Sequence, residues 1–166
     1  MTASAWTIRD ASSRQDWDAA SGVLISVYVG EGFTAPEEAS EFFSKNSLEC
    51  HGDLLVAEKQ GEGIVGAVLL LNERSQLCQV AVGEEAEFRL LAVSPRVRGE
   101  GIGSDLVREC ISRSKSRGAG RMILSTQPSQ HAAHRVYEAL GFVRCKERDW
   151  RTARGSKRWV YALELA

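Results

Sequence analysis

Arg98-Gly99-Glu100-Gly101-Ile102-Gly103 has the residue types of a phosphate-binding turn. The apolar run Phe88 to Val93 precedes it, and Ser104 to Gly118 follows with the spacing of an amphipathic helix. Strand, glycine-rich turn and helix in that order bring unsatisfied amide N–H groups to one point, where the helix end carries about half a positive charge. Glycines then let an anion reach the backbone with no Cβ in the way. Spacing excludes two familiar versions of such a site. A dinucleotide fingerprint needs G-x-G-x-x-G after the first strand, and here the third glycine would fall on Ser104, late in the chain. A P-loop needs Gly-Lys-Ser/Thr, and no lysine stands there.

Arg98, Gly101 and Gly103 do satisfy R-x-x-G-x-G. A second stretch, His134-Arg135-Val136-Tyr137-Glu138-Ala139-Leu140-Gly141-Phe142, follows it with room for a helix and a strand between. In this order the two resemble motif A and the "A-x-x-L-Y-E-x-x-G-F" segment of the GNAT acyltransferases, which bind acetyl-CoA, and a weaker resemblance covers the whole chain. The resemblance implies an acetyl-CoA-dependent N-acetyltransferase that passes the acetyl group to a primary amine by direct attack in a ternary complex. It assigns cofactor binding to Arg98, Gly99, Glu100, Gly101, Ile102, Gly103 and Ser104. It adds the backbone of Leu91, Ala92 and Val93, because the family's central strand splays there and frees groups for the pantetheine arm and the thioester oxygen.

Tyr137 aligns with the family tyrosine near the CoA sulfur and is the expected acid, since a phenol with a pKa of about 10 is protonated at neutral pH. Gln130 stands where many relatives have a cofactor-contacting asparagine; the amide is kept on a longer side chain. Glu87 matches a frequent acidic position that takes the amine's proton directly or through water. A solvated acid beside Glu84 and Glu85 is the equal alternative. His131 and His134 have no third ligand near them in sequence, so no metal is expected. Two other functions are carried alongside: transfer of a longer or acidic acyl group, and acyl-CoA sensing without catalysis. Tyr137 and the intact R-x-x-G-x-G argue against the second. The acceptor is divided between two hints. Glu31, Glu37, Glu38 and Glu41 point to a cationic amine, whereas Arg151, Arg154, Lys157 and Arg158 point to an anionic amino acid or a peptide terminus.

These residues need elements to hold them. Trp6 to Arg9 alternates as a first strand, and Asp10 or Ser13 caps a helix whose Trp17, Ala20, Val23, Leu24, Val27 and Tyr28 recur at core spacing. Pro36 opens a second helix. Asp53 to Lys59 and Ile64 to Leu71 form a hairpin across Gln60–Gly63, with Gly66 marking close packing or a bulge. Asn72 to Glu85 reads as a strand extension plus a loop, and Glu87 to Val93 as the central strand. After the helix from Ser104 come a buried strand Met122 to Ser125 and a helix capped by Ser129 and closed by Gly141. The last pair is Phe142 to Glu147 with Trp159 to Leu165, joined by the basic loop Arg151 to Arg158. The order β-α-α-β-β-β-α-β-α-β-β is that of the GNAT fold: α/β (α+β), a mixed, mostly antiparallel sheet with helices on both faces, as a single domain over residues 1–166.

Composition sets the outer bounds. The 166 residues carry 26% charged and 43% hydrophobic side chains, ordinary for a soluble globular chain. A net charge of −1 gives no basic excess for nucleic acid. Cys50, Cys78, Cys110 and Cys145 show no C-x-x-C spacing, so reduced thiols in the cytoplasm are expected. Residues 1–6 lack the pattern of a signal peptide, and no stretch approaches the ~18 apolar residues of a membrane span. The expected partners are therefore acetyl-CoA and an amine acceptor, with neither nucleic acid nor membrane; a homodimer stays open.

Overall fold

The computed structural model describes residues 5–165. The first strand, β1 (Trp6–Asp10), leads into α1 (Arg14–Gly30). Of the two capping candidates Ser13 is used: its side chain accepts from Asp16 N–H, and Asp16 answers to the Ser13 backbone, closing a capping box. Trp17, Ala20, Leu24 and Val27 bury the inner face of α1. Next come α2 (Pro36–Phe42) and a short α3 (Lys45–Leu48). Sequence patterning missed α3. It has too few residues to show a period, and it is held by the Ser44 cap and the buried Leu48.

β2 (Gly52–Lys59) and β3 (Gly63–Leu71) form the expected hairpin, followed by β4 (Glu85–Val93). The sheet runs β1-β2-β3-β4 and continues through β5 (Arg121–Thr126), β8 (Lys157–Glu164) and β6 (Val143–Arg144); β7 (Trp150–Arg151) also pairs with β8. Every pairing is antiparallel except β4 with β5, and that parallel pair uses α4 (Ile102–Ser116) as its crossover. α5 (His131–Ala139) follows β5. The near-continuous apolar runs of β2 and β3 are what a doubly covered strand requires. Leu54, Val56, Ala67 and Leu69 point into a core under α1–α3, and Leu55, Ala57, Val68 and Leu70 into a core with α4 and α5. Gly66 serves both readings made of it. A Cβ there would stand 3.2 Å from Leu106 Cδ1, and the β2–β3 register shifts beside it at Ala57/Glu58.

Four local expectations need correcting. Asn72 to Glu84 contains no strand extension, because backbone amides in its second half are drawn onto Glu87, as described below. α4 starts at Ile102, not Ser104, since Gly101 supplies the cap. Ser129 does not cap α5; Gln130 stands at the cap, its side chain folded back onto Thr126 and Gln127. The last strand pair is shorter than expected. Asp149 binds Arg144 at 2.7 Å and accepts from Val160 N–H at 2.9 Å, which turns the chain after Arg144 and lets β7 return within the expected loop. Among the described residues no helix is long and apolar enough to cross a membrane.

Candidate functional site

The glycine turn hangs between β4 and α4 on a 3₁₀ turn, Pro95–Val97, whose Val97 is buried. Gly101 caps α4 with φ +100, and Gly99 has φ +84, a region where an L side chain is strained. The first bond of α4 runs from Asp105 N–H to Gly101 C=O at 3.1 Å. The N–H groups of Ile102, Gly103 and Ser104 therefore have no backbone acceptor among the described residues. Gly103 is glycine for another reason. A Cβ there would stand 3.5 Å from Val93 Cγ2 and 3.6 Å from Val136 Cγ2, in the passage between β4 and α5. The side chain of Ile102 is buried in the core and that of Glu100 turns away to Lys59 at 3.0 Å, so both contribute backbone only. The side chain of Arg98 is held by two protein groups. Its Nε donates to Val93 C=O at 3.2 Å and its guanidinium is ion-paired with Glu31, although it still lines the groove.

That groove, about 700 Å³, runs from the turn between β4 and α5, past Leu91, Val93, Gly101–Ser104, Gln130 and Val136. It exists because β4 bulges against β3 and parts from β5. Leu90 has φ +63, uncommon for a non-glycine residue, and the β3–β4 register shifts there between Ala67 and Leu69. On the other edge β4 and β5 pair at Glu85–Glu87 with Arg121–Ile123 and then diverge. Leu91 C=O accepts from Tyr28 Oη at 3.4 Å and Val93 C=O from Arg98, so Leu91 and Val93 face the open edge. Ala92 lines the groove between them, with its carbonyl toward Gly66 of β3.

Tyr137 is buried among Phe88, Phe142 and Tyr161, with ring centroids 5.7–5.9 Å away; its neighbour Val136 lines the groove and Tyr137 itself does not. Its hydroxyl makes no hydrogen bond among the described residues. Burial pushes it well above the usual phenol range, so it holds its proton. Gln130 lines the groove, but its Oε1 accepts from Gln127 N–H at 2.8 Å and Thr126 Oγ1 at 2.9 Å.

Glu87 is not placed as a base. It is buried, and its carboxylate accepts from Gln79, Val80 and Ala81 N–H at 2.9–3.1 Å, both oxygens being used. It pins the loop before β4. The solvated alternative fails as well. His134 packs on the Trp159 ring at 5.4 Å with Nε2 3.1 Å from Gln127 C=O, and burial lowers its pKa. No group of three or more metal-ligating side chains occurs among the described residues.

A second cavity of about 250 Å³ opens on the other side of the splay and shares Phe33 and Gln130 with the groove. Tyr28, Arg89, Leu90, Ser125 and Arg158 line it. Two of these escaped sequence reasoning as site residues. Tyr28 sits at core spacing on α1, and burial pushes its hydroxyl up to about 12. Arg89 carried a usable signal: it is the one charge inside the apolar run Phe88 to Val93. A cleft with free amides at one end, an unpaired strand edge in the middle and a small polar cavity beyond can hold an extended phosphate-bearing chain and present its far end to a second molecule.

Comparison with known proteins agrees with this geometry. The model of the Acetyltransferase (GNAT) family matches residues 12–142. Rat N-acetyltransferase family 8 member 3 is 33% identical over 127 residues, 75% of this chain and 54% of that protein. Rat N-acetyltransferase family 8 member 2 is 34% identical over 101 residues, 60% of this chain and 42% of that protein, so the chain spans about half the length of these relatives. A GNAT-family acetyltransferase structure from Staphylococcus aureus Mu50 shares the fold at a TM-score of 0.77 and 16% identity, covering 98% of this chain and 100% of that one. A GNAT-family acetyltransferase from Brucella melitensis, solved in complex with acetyl-CoA, does so at 0.65 and 20%, covering 97% and 88%.

Proposed function

The chain belongs to the GNAT acetyltransferase family, and from that premise we propose that it transfers an acetyl group from acetyl-CoA to a primary amine. The observation that carries this is the open edge of β4: Leu91 and Val93 face the groove where β5 has departed, in line with the free amides of Ile102–Ser104. Those amides and the α4 N-terminus would hold the pyrophosphate. The edge groups of Leu91 and Val93 would orient the pantetheine arm and the thioester oxygen. Gly103 keeps the passage narrow but open.

The amine nitrogen attacks the thioester carbon, the C–S bond breaks, the sulfur gains a proton and the nitrogen loses one. Tyr137 would supply the first proton, since burial favours its protonated hydroxyl, which makes no hydrogen bond among the described residues. With Glu87 fully occupied by amides, the nitrogen's proton would leave to water at the cavity mouth. Phe33 and Gln130, common to both cavities, mark where the two substrates would meet.

The test has two readouts. Calorimetry with acetyl-CoA should give a saturable one-site isotherm, and release of free CoA thiol should depend on an added amine. Binding without release for any amine would leave only a sensing module, and absence of binding would overturn the reading.

A further inference from the structure

The cavity beyond the splay is built around two guanidinium groups that lack a carboxylate. Arg89 and Arg158 both line it, and neither has an acidic side chain within 4 Å among the described residues. The neighbouring acids are committed elsewhere. Glu87 spends both oxygens on the amides of Gln79–Ala81, and Glu38, on the cavity wall, pairs with Arg154 at 3.2 Å. Arg89 uses one nitrogen on Leu77 C=O at 3.1 Å, and Arg158 one on Ser156 Oγ at 2.6 Å and Lys157 C=O at 3.0 Å. Each guanidinium has five N–H donors, so several are left over, open to the cavity and to a ligand in it. Burial lowers the pKa of both; on Arg89 the nearby Glu87 carboxylate opposes this and Arg158 adds to it. Guanidinium donors left without a protein acceptor on a cavity wall are ready to bind an anion.

We infer that the amine acceptor is a small amino acid-like molecule whose carboxylate seats between Arg89 and Arg158. This rests on the reading of the chain as an acetyl-CoA-dependent transferase. Arginine forks match carboxylates bidentately. The cavity's 250 Å³ lies below the range usual for drug-sized ligands, which favours a free molecule over a peptide segment. Its junction with the groove at Phe33 and Gln130 would let the amine of such a molecule reach the thioester while the carboxylate stays behind. A cationic acceptor is disfavoured by the same charges, and two of the four glutamates that would receive it, Glu31 and Glu38, are paired with Arg98 and Arg154.

The experiment compares free amino acids, their primary amides and the matching amines without carboxylate, at saturating acetyl-CoA, by thiol release. In parallel, calorimetry follows N-acetyl amino acids and their amides. At least one amino acid should exceed its amide by about 100-fold or more in kcat/KM. Arg158→Gln should raise its KM at least tenfold, with the acetyl-CoA Kd unchanged, and Arg89→Lys should do the same if Arg89→Gln fails to fold. Equal or better turnover of carboxylate-free amines overturns the inference and leaves the transferase reading intact. If no amine is turned over, the N-acetyl compounds decide: binding that weakens tenfold in the amide and in Arg158→Gln supports the inference, and no binding at millimolar concentration overturns it. Failure to bind acetyl-CoA overturns the transferase reading itself.

Discussion

Replacing Glu87 separates a structural acid from a chemical one. Its carboxylate gathers three consecutive amides, and Oε1 alone accepts from Gln79, Val80 and Ala81. Truncation in Glu87→Ala strands all three donors. An unsatisfied amide costs about 1–3 kcal/mol. The loop is only part-buried and can turn partly to water, so the low end applies, roughly 3 kcal/mol in total. For a chain of this size 1 kcal/mol shifts Tm by about 2–4 °C, hence a loss of roughly 6–12 °C. Glu87→Gln keeps one acceptor oxygen but faces Gln79 N–H with an amide NH₂, so about half that loss is expected. Gln79 also accepts from Ser125 Oγ at 2.9 Å on the cavity wall, so the acceptor KM should rise while kcat changes less than about threefold and the pH profile of kcat/KM keeps its shape. Urea unfolding and steady-state kinetics on both variants test this. A Glu87→Gln protein of wild-type stability whose kcat falls by about 100-fold with a reshaped pH profile would refute the reasoning and restore Glu87 as a base.

Tyr137→Phe should leave stability nearly unchanged, since the hydroxyl has no protein partner, and lower kcat by about 100-fold or more at constant acetyl-CoA Kd; single-turnover and equilibrium binding assays give the two numbers. Gly101→Ala forces a Cβ into φ +100 and should cost about 1–2 kcal/mol in chemical denaturation, whereas Gly103→Val should fold well and weaken acetyl-CoA binding at least tenfold, about 1.4 kcal/mol by calorimetry. Asp16 is held well below the usual carboxylate range by Arg9, Asp149 by Arg144 and Asp10 by Arg113. Because these folded pKa values are depressed, the stability they give is complete above the unfolded value of about 4 and is lost as pH falls through the folded ones. Unfolding midpoints should be flat between pH 7 and about 5 and fall below about 4, and the deficit of Asp16→Asn should shrink over that fall.

What could be read from the chain beforehand depended on whether a feature is local. R-x-x-G-x-G named the turn because a positive φ at Gly101 and a passage free of a Cβ at Gly103 demand glycine at fixed offsets. Tyr137 was reachable through its segment, and β2 and β3 through unbroken apolar runs. The strand splay was not legible from the residues themselves: Leu90 is an ordinary leucine, and only its place opposite Val68 makes it a bulge. Glu87 misled for a related reason. A carboxylate that collects amides from a loop has the same residue type as one that collects a proton, and only burial distinguishes them. The arginine-lined cavity joins Arg89 on β4 to Arg158 on β8, strands that never pair, so its charge appears only once β5 is seen between them.

Among the described residues, the three register pairs between β4 and β5 are the only backbone ladder joining one half of the sheet to the other. A pantetheine chain laid along Leu91 and Val93 would act as a surrogate strand that zips this seam shut. Ligand and seam are then thermodynamically linked. The empty protein should open there first, with fast amide exchange at Leu91 and Val93 and slower exchange in β2 and β3. Acetyl-CoA at a hundred times its Kd should add about 2.7 kcal/mol to global stability, with the gain in protection centred on that unpaired edge and fading with distance from it.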